Sequence, residues 1–557
     1  MATEAEQLSE PRRRSRAGCW TCRSPAVKKG CDQRRPVCGR CERLNIICDY
    51  SSRPTLAERR RANRSTSSVP CTPSSISDAV SPSVTENLSA SPCSNHPVRA
   101  GTEIGRYDLE LSAEDHEAIR YFRTEFAKLH HTKNPEYSLI SLMFNIARNE
   151  PMVMHMVVAI GHQEMDFRRH QALASAQHVA SHHYAMALRL MADTIAPSSK
   201  KTKDLDTILT ALWLMLLYEQ QFGDERCRAY LSHLQGVSSL LQSQSGHLLQ
   251  LPSHKLGIQE QDTVAVRAED SNNDSKISIY SARVLIWIVL LDSAAATSGV
   301  GGHVNEAIIS MLLSNPTDSN MRSKDPIKAV ARLHHYSNSL YRLAWGDAYP
   351  QAELVDDVEN RNVYALLGHC AYLRFLTAQL ATLCRNNPES AAEQANEVEY
   401  SIDEVGDLFR ELLEVAHELS PETDNSHRLV ANMRAIVPMY YAIILDFKRL
   451  AAFGNSMDER QRYALQEIMN LCFQDFTHGG DKPNLRVAWP LFMAALETKD
   501  LLHQKFVLER FEAFKLYGKN DERAHRFLVT VIGMQRRHGK RVDFRAQMQQ
   551  SELFVLG

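Results

Sequence analysis

Residues 19–48 read CWTCRSPAVKKGCDQRRPVCGRCERLNIIC, and the six cysteines among them decide how this part of the chain folds. Cys19/Cys22 and Cys38/Cys41 are CxxC pairs, and each pair is followed by one further cysteine, Cys31 or Cys48. A CxxC turn sets two thiolates on one side of a metal, as two corners of a Zn²⁺ tetrahedron require. So short a segment, with so few apolar side chains, cannot be held by hydrophobic burial, and metal is expected to hold it.

Six thiolates do not divide into two separate four-ligand sites, but they serve two zincs if two sulfurs bridge. The order pair, single, pair, single lets the first cysteine of each pair be shared, which makes Cys19 and Cys38 the bridges. One zinc then takes Cys19, Cys22, Cys31 and Cys38. The other takes Cys19, Cys38, Cys41 and Cys48. No secretory leader is read in the chain and its remaining cysteines are scattered, so metal-bound thiolates are expected rather than disulfides.

The segment resembles the fungal binuclear zinc cluster (Zn₂Cys₆) transcription factors. The resemblance is carried by Gly18-Cys19-Trp20-Thr21-Cys22-Arg23, Cys31-Asp32, Arg35-Pro36-Val37-Cys38, Arg40-Cys41-Glu42-Arg43-Leu44 and Cys48-Asp49-Tyr50. That family uses the same bridging. The resemblance implies a basic helix docked at a CGG-like triplet of double-stranded DNA. Lysine or arginine bidentate to guanine O6/N7 is the physical basis for such a preference. Lys28 and Lys29 are the candidates for base contacts, and Arg23, Arg34, Arg35, Arg40 and Arg43 for phosphate contacts.

One departure stands out. The family usually has six residues between its second and third cysteines, whereas this chain has eight, Arg23-Ser24-Pro25-Ala26-Val27-Lys28-Lys29-Gly30. Two added residues rotate a helix by about 200°, so Lys28 and Lys29 would face differently from their counterparts. Either the loop bulges and zinc binding survives, or the excess is an in-frame product of a misplaced exon boundary.

The formal charge of −2 over the whole chain hides a split. Residues 1–64 hold 16 Lys/Arg against 7 Asp/Glu, and the remainder 48 against 59. A small basic module beside an acidic body points to a polyanionic partner for the module. Arg12-Arg13-Arg14-Ser15-Arg16 and Arg59-Arg60-Arg61 flank the cysteines and suit phosphate contact or nuclear import. Residues 1–17 read as a disordered basic arm, 18–50 as the zinc module and 51–106 as a disordered linker. Within that linker, residues 65–96 contain 11 Ser, 3 Thr and 4 Pro, a composition that builds no core. No apolar heptads follow the cluster, which leaves the oligomeric state open.

From 107 to 545 the periodicity is helical, and a large all-α domain is expected, making the chain mainly α. Leu205, Ile208, Leu209, Leu212, Trp213, Leu216 and Leu217 fall on one helical face, as do Ile436, Met439, Tyr440, Ile443, Ile444 and Phe447. Ser112 is placed to cap a helix start at Ser112-Ala113-Glu114-Asp115. Residues 253–276 read as a polar insert. Apolar runs such as Leu212–Tyr218 and Val284–Leu291 are read as core helices too short to span a membrane.

This region is similar to the fungal-specific transcription factor regulatory domain, in the branch that includes arginine-metabolism regulators. The likeness rests on the order of Tyr230–Gly236, Trp287, Asp292, Gly299, Gly301, Gly302, Trp345-Gly346, Tyr349-Pro350, Glu353-Leu354 and Glu359-Asn360. It ends with Trp489-Pro490-Leu491-Phe492, Glu497, Asp500 and His503. It implies a helical regulatory domain with no common catalytic activity.

Other constellations are weaker. His178 and His182 have metal-ligand spacing, but no third ligand is evident and they read as surface or packing histidines. Gly299-Val300-Gly301-Gly302 lacks the ending of a phosphate loop and reads as a helix-to-helix turn. Trp489, Phe492, Glu497 and His503 read as a brace between helices. No catalytic constellation stands out, so the chain is not expected to be an enzyme. The expected function is zinc-dependent, sequence-specific transcription regulation of RNA polymerase II genes in the nucleus. Two zincs, double-stranded DNA and transcription machinery or co-regulators are the implied partners, and no membrane. The alternative is a zinc-cluster interaction regulator that has lost specific DNA reading through its longer loop.

Overall fold

The computed structural model describes residues 19, 31–43, 48, 109–130, 132–169, 174–196, 204–243, 277–313, 326–422, 428–451, 456–479 and 483–557. The expected arm (1–17), the loop residues Cys22, Arg23, Lys28 and Lys29, the linker (51–106) and the polar insert (253–276) lie outside them. The chain divides into two compact units, Met1–Cys93 and Ser94–Gly557. Every regular element among the described residues is helical.

In the first unit the short helix Gly39–Arg43 follows directly on Cys38. The second unit opens with the helix Ala113–Tyr121, started as the sequence suggests. The Ser112 hydroxyl accepts from Asp115 N at 3.1 Å, and the Asp115 carboxylate accepts from Ser112 N at 2.9 Å. This reciprocal pair satisfies two donors that a helix end otherwise leaves orphaned.

The core is built by helices that are largely buried. Leu205–Phe222 packs between Pro151–Arg168 and Ile279–Thr297. The latter packs on Arg361–Asn386, which packs in turn on Arg428–Ala451. The sequence assigns Leu205–Phe222 and Arg428–Ala451 one apolar face each. In the structure their other faces are buried too, including Thr207, Thr210, Glu219 and Gln220 on the first, and Asn432, Arg434 and Asp446 on the second. A helix with neighbours all round is buried whatever its pattern. Those same neighbours accommodate Pro438 within Arg428–Ala451, where the missing N–H would end an isolated helix.

The membrane reading needs correction. Ile279–Thr297 and Arg428–Ala451 are long and apolar enough, by length and mean hydropathy, to cross a bilayer. The apolar runs read from the sequence were cut short by single polar residues that a longer average absorbs. Most of each helix is buried within the protein, and several of their polar groups have internal partners. Asp446, for example, accepts from Arg545 Nη1 and Nη2 at 2.8 and 2.6 Å.

The glycine-rich turn 299–302 joins Ile279–Thr297 to His303–Leu313, as the sequence reading has it. Gly299 and Gly302 have φ of +80° and +100°, a conformation that costs glycine little. A Cβ on Gly301 would overlap Asp292 O and Ala295 Cβ. The tight turn brings His303–Leu313 onto the buried Asp292 carboxylate. That carboxylate accepts from Gly302 N (2.8 Å), Val304 N (3.1 Å), Asn305 N (2.8 Å) and Asn305 Nδ2 (2.7 Å). A side chain on one helix thus caps the next.

Candidate metal centre

Cys19, Cys38 and Cys41 have no solvent exposure, in a unit with little else to bury. Cys19 Sγ lies 3.8 Å from Cys38 Sγ and 3.8 Å from Cys41 Sγ. Tetrahedral Zn–S bonds of about 2.3 Å place neighbouring sulfurs about 3.8 Å apart. With Cys48, these three form a group whose sulfurs all lie within 4.8 Å of one another. This quartet coincides with one of the two ligand sets deduced from the cysteine order. Of the other set, Cys31 Sγ lies 3.9 Å from Cys19 Sγ, and Cys22 is outside the described residues. Cys19 is therefore close to sulfurs of both sets, which is the position a bridging thiolate needs.

Backbone amides support the sulfurs. Cys41 N donates to Cys38 Sγ at 3.4 Å, Cys38 N to Cys48 Sγ at 3.3 Å and Gln33 N to Cys31 Sγ at 3.4 Å. Such donors stabilise thiolate charge and orient the ligands. Asp32 accepts from Gly39 N at 3.2 and 3.0 Å, closing the segment between Cys31 and the helix.

Of the candidate phosphate contacts, Arg34, Arg35 and Arg43 are exposed and Arg40 is half-buried. Arg34 Nη2 meets Glu42 at 3.2 Å. A surface pair of this kind is worth about 0–1 kcal/mol, so a phosphate can displace it. The candidate base-contact residues, Lys28 and Lys29, lie outside the described residues together with Arg23.

In the helical unit, Trp489, Phe492 and Glu497 are buried braces. The Arg374 guanidinium stacks on Trp489 at 3.9 Å. Phe492 packs on Phe527, Phe544 and Phe554. Glu497 pairs with Arg449 and, at 2.7 Å, with Arg541. His503 approaches Thr498 Oγ1 at 3.4 Å. The resemblance residues around Trp345 and Tyr349 also have a structural task, enclosing buried Lys133. Its ammonium meets Glu353 and Asp357 at 3.1 and 2.6 Å, and lies 4.8 Å from the Tyr341 ring and 5.3 Å from that of Tyr349.

His178 and His182 are exposed, as surface histidines would be. Their neighbour His183, which no sequence spacing marks, is buried in a polar group. His183 Nδ1 is 2.8 Å from His155 Nδ1, and Asp115 meets His162 at 2.8 Å and His183 at 3.4 Å. Burial holds His155 down to about 4, so the ring is neutral near pH 7. No spacing rule finds this group, because its members come from three helices.

Residues 117–556 match the family model described as fungal specific transcription factor domain, and residues 17–57 that of the fungal Zn(2)-Cys(6) binuclear cluster domain. No curated protein and no solved structure matches the chain.

Proposed function

We propose, for a chain that belongs to the fungal specific transcription factor domain family and carries a fungal Zn(2)-Cys(6) binuclear cluster domain, that it regulates RNA polymerase II genes in the nucleus through zinc-dependent DNA binding. Both families are of transcription regulators, not enzymes. The observation that carries the reading is the buried group of Cys19, Cys38, Cys41 and Cys48, spaced for one zinc, with Cys31 adjoining Cys19. Two zincs per chain, bridged by Cys19 and Cys38 and completed by Cys22 and Cys31, account for all six cysteines. The metal is structural: it supplies folding free energy and orders the segment between the cysteine pairs.

In this reading Arg23, Arg34, Arg35, Arg40 and Arg43 hold phosphates, and Lys28 and Lys29 read bases at CGG-containing sites. Exposure of Arg34, Arg35 and Arg43 beside the sulfur group supports the phosphate assignment. The helical unit, residues 107–545, regulates. The long Cys22–Cys31 loop favours a second reading, in which the cluster recruits co-regulators and reads DNA weakly.

A gel shift separates the two. Zinc-loaded full-length protein is titrated against a CGG-containing duplex and a scrambled one, with and without Lys28→Ala/Lys29→Ala. Preference for the CGG site that the double variant loses supports specific reading. Equal binding of both duplexes by both proteins supports the second. Metal analysis finding fewer than two zincs on freshly purified protein would contradict the bridged cluster.

A further inference from the structure

The core of the helical unit does not close completely. Leu205–Phe222, Ile279–Thr297, Arg361–Asn386 and Arg428–Ala451 contribute to the walls of a cavity of about 180 Å³. Its sides are mainly apolar and include the Trp213 and Trp287 rings, Leu217, Leu290, Ile436 and Met439. An apolar cavity of about 150 Å³ in another protein accepts benzene, so this one has room for a small ring compound.

Its polar lining is unbalanced. Arg486 donates from Nη1 to Asn432 Oδ1 at 3.0 Å and from Nε to Asn484 Oδ1 at 3.3 Å, both neutral amides. Among the described residues no carboxylate lies within ion-pair distance of it, and burial pushes its pKa down. Thr132, also in the lining, donates to the same Asn432 oxygen at 2.8 Å. A second guanidinium, Arg374, lines the cavity and is bonded to Thr297 Oγ1 and Leu556 O rather than to a carboxylate. Burial pushes it down to about 9.

Among the lining side chains the carboxyl is that of Asp521, and Gly557 lines the cavity as well. Asp521 is only 4% exposed, its Oδ2 has no hydrogen-bond partner, and burial pushes it up to about 7. Trp213 Nε1 is a buried donor that likewise has no partner. Two cations therefore line the cavity with no carboxylate within ion-pair distance among the described residues; Asp475 acts on Arg486 and Asp446 on Arg374 only from farther off, and polar atoms are left unmatched. Burying a cation without a counter-charge costs several kcal/mol. Apolar walls with a few convergent polar groups are the usual make-up of a small-molecule site.

We propose that this cavity binds a small organic anion, a monocarboxylate on an apolar body of about phenyl size, with its carboxylate on Arg486 and its body beside Trp213 and Trp287. A bound carboxylate supplies a counter-charge within ion-pair distance of Arg486, which none of the described carboxylates does. The site goes beyond DNA binding and gives the helical unit a means of sensing a metabolite. Binding is read within that unit, so its failure would leave the DNA reading untouched, and the reverse.

The test uses the full-length protein and two probes of similar shape, phenylacetate and neutral 2-phenylethanol. Affinity is measured by calorimetry and by quenching of tryptophan fluorescence. Wild type should bind phenylacetate saturably and at least tenfold more tightly than 2-phenylethanol. Arg486→Met should weaken phenylacetate at least tenfold and leave 2-phenylethanol within about twofold; tenfold corresponds to about 1.4 kcal/mol. Leu290→Trp, which fills the cavity, should abolish binding of both. Should Arg486→Met fail to fold, the preference of the wild type decides. Absence of phenylacetate binding, equal affinity for the two probes, or undiminished binding to a folded Leu290→Trp protein overturns the proposal.

Discussion

Replacing Asp292 with alanine tests how the helical unit is held together. The carboxylate is fully buried on Ile279–Thr297 and accepts four hydrogen bonds from Gly302, Val304 and Asn305. Alanine leaves three buried backbone donors, Gly302 N, Val304 N and Asn305 N, without this acceptor, while Asn305 Nδ2 keeps Val289 O and Ser293 Oγ; one unsatisfied donor costs about 1–3 kcal/mol. The full sum overstates the effect, because neighbouring losses are not additive and because burial already makes this charge expensive. Its pKa is raised by burial, against the lowering effect of the Asn305 and Gly302 bonds. The net loss expected is about 3–5 kcal/mol, the range for breaking a buried charged network. Asp292→Asn preserves the shape and one acceptor oxygen, and should lose about half as much. Urea unfolding of the full-length protein, followed by far-ultraviolet circular dichroism, reads both values from the shift of the helical transition. If Asp292→Ala unfolds within about 1 kcal/mol of wild type, water or a shifted turn satisfies those donors and the capping argument is wrong.

If Cys19 and Cys38 bridge as proposed, the cysteines are unequal: Cys19→Ala and Cys38→Ala should lose more zinc than Cys48→Ala, and equal loss by metal analysis would remove the case for shared sulfurs. Chelation should unfold the segment 18–50 and leave the far-ultraviolet helical signal nearly unchanged; collapse of that signal would show that the helical unit depends on the metal. Deleting two residues from Pro25-Ala26-Val27 should sharpen preference for CGG-containing duplexes, since a bidentate base contact worth about 1–3 kcal/mol needs one side-chain angle. A thousandfold preference already present in the unaltered chain at physiological salt would show that the longer loop is no obstacle. Burial raises Glu164 to about 7, against the lowering effects of Tyr121 and Arg168. Its contribution is therefore complete below about pH 4.5 and is lost as pH rises through about 7. Glu164→Gln keeps an acceptor for Tyr121 and should gain up to about 3 kcal/mol on wild type between pH 4.5 and 8. A pH-independent difference in denaturant midpoint would refute the shift.

The grouping of Cys19, Cys38, Cys41 and Cys48 was legible in the sequence because it is local in the chain. Cysteine order limits how six thiolates can serve two metals, and a segment of this size has no competing core. Ser112 and the turn at 299–302 were legible for the same reason, since a cap and a glycine turn are short-range devices. Tertiary structure decided what surrounds each helix. The pattern gave Leu205–Phe222 one buried face, and packing buried the others. Asp292, Lys133 and Glu497 found their partners across sequence separations that no periodicity encodes. The cavity is the extreme case. Trp213, Trp287, Arg374, Arg486 and Asp521 stand on different elements, and each alone reads as ordinary core or surface. Their common space exists only where helices of fixed length and side-chain volume fail to fill the interior, and that depends on three-dimensional packing rather than on any stretch of sequence.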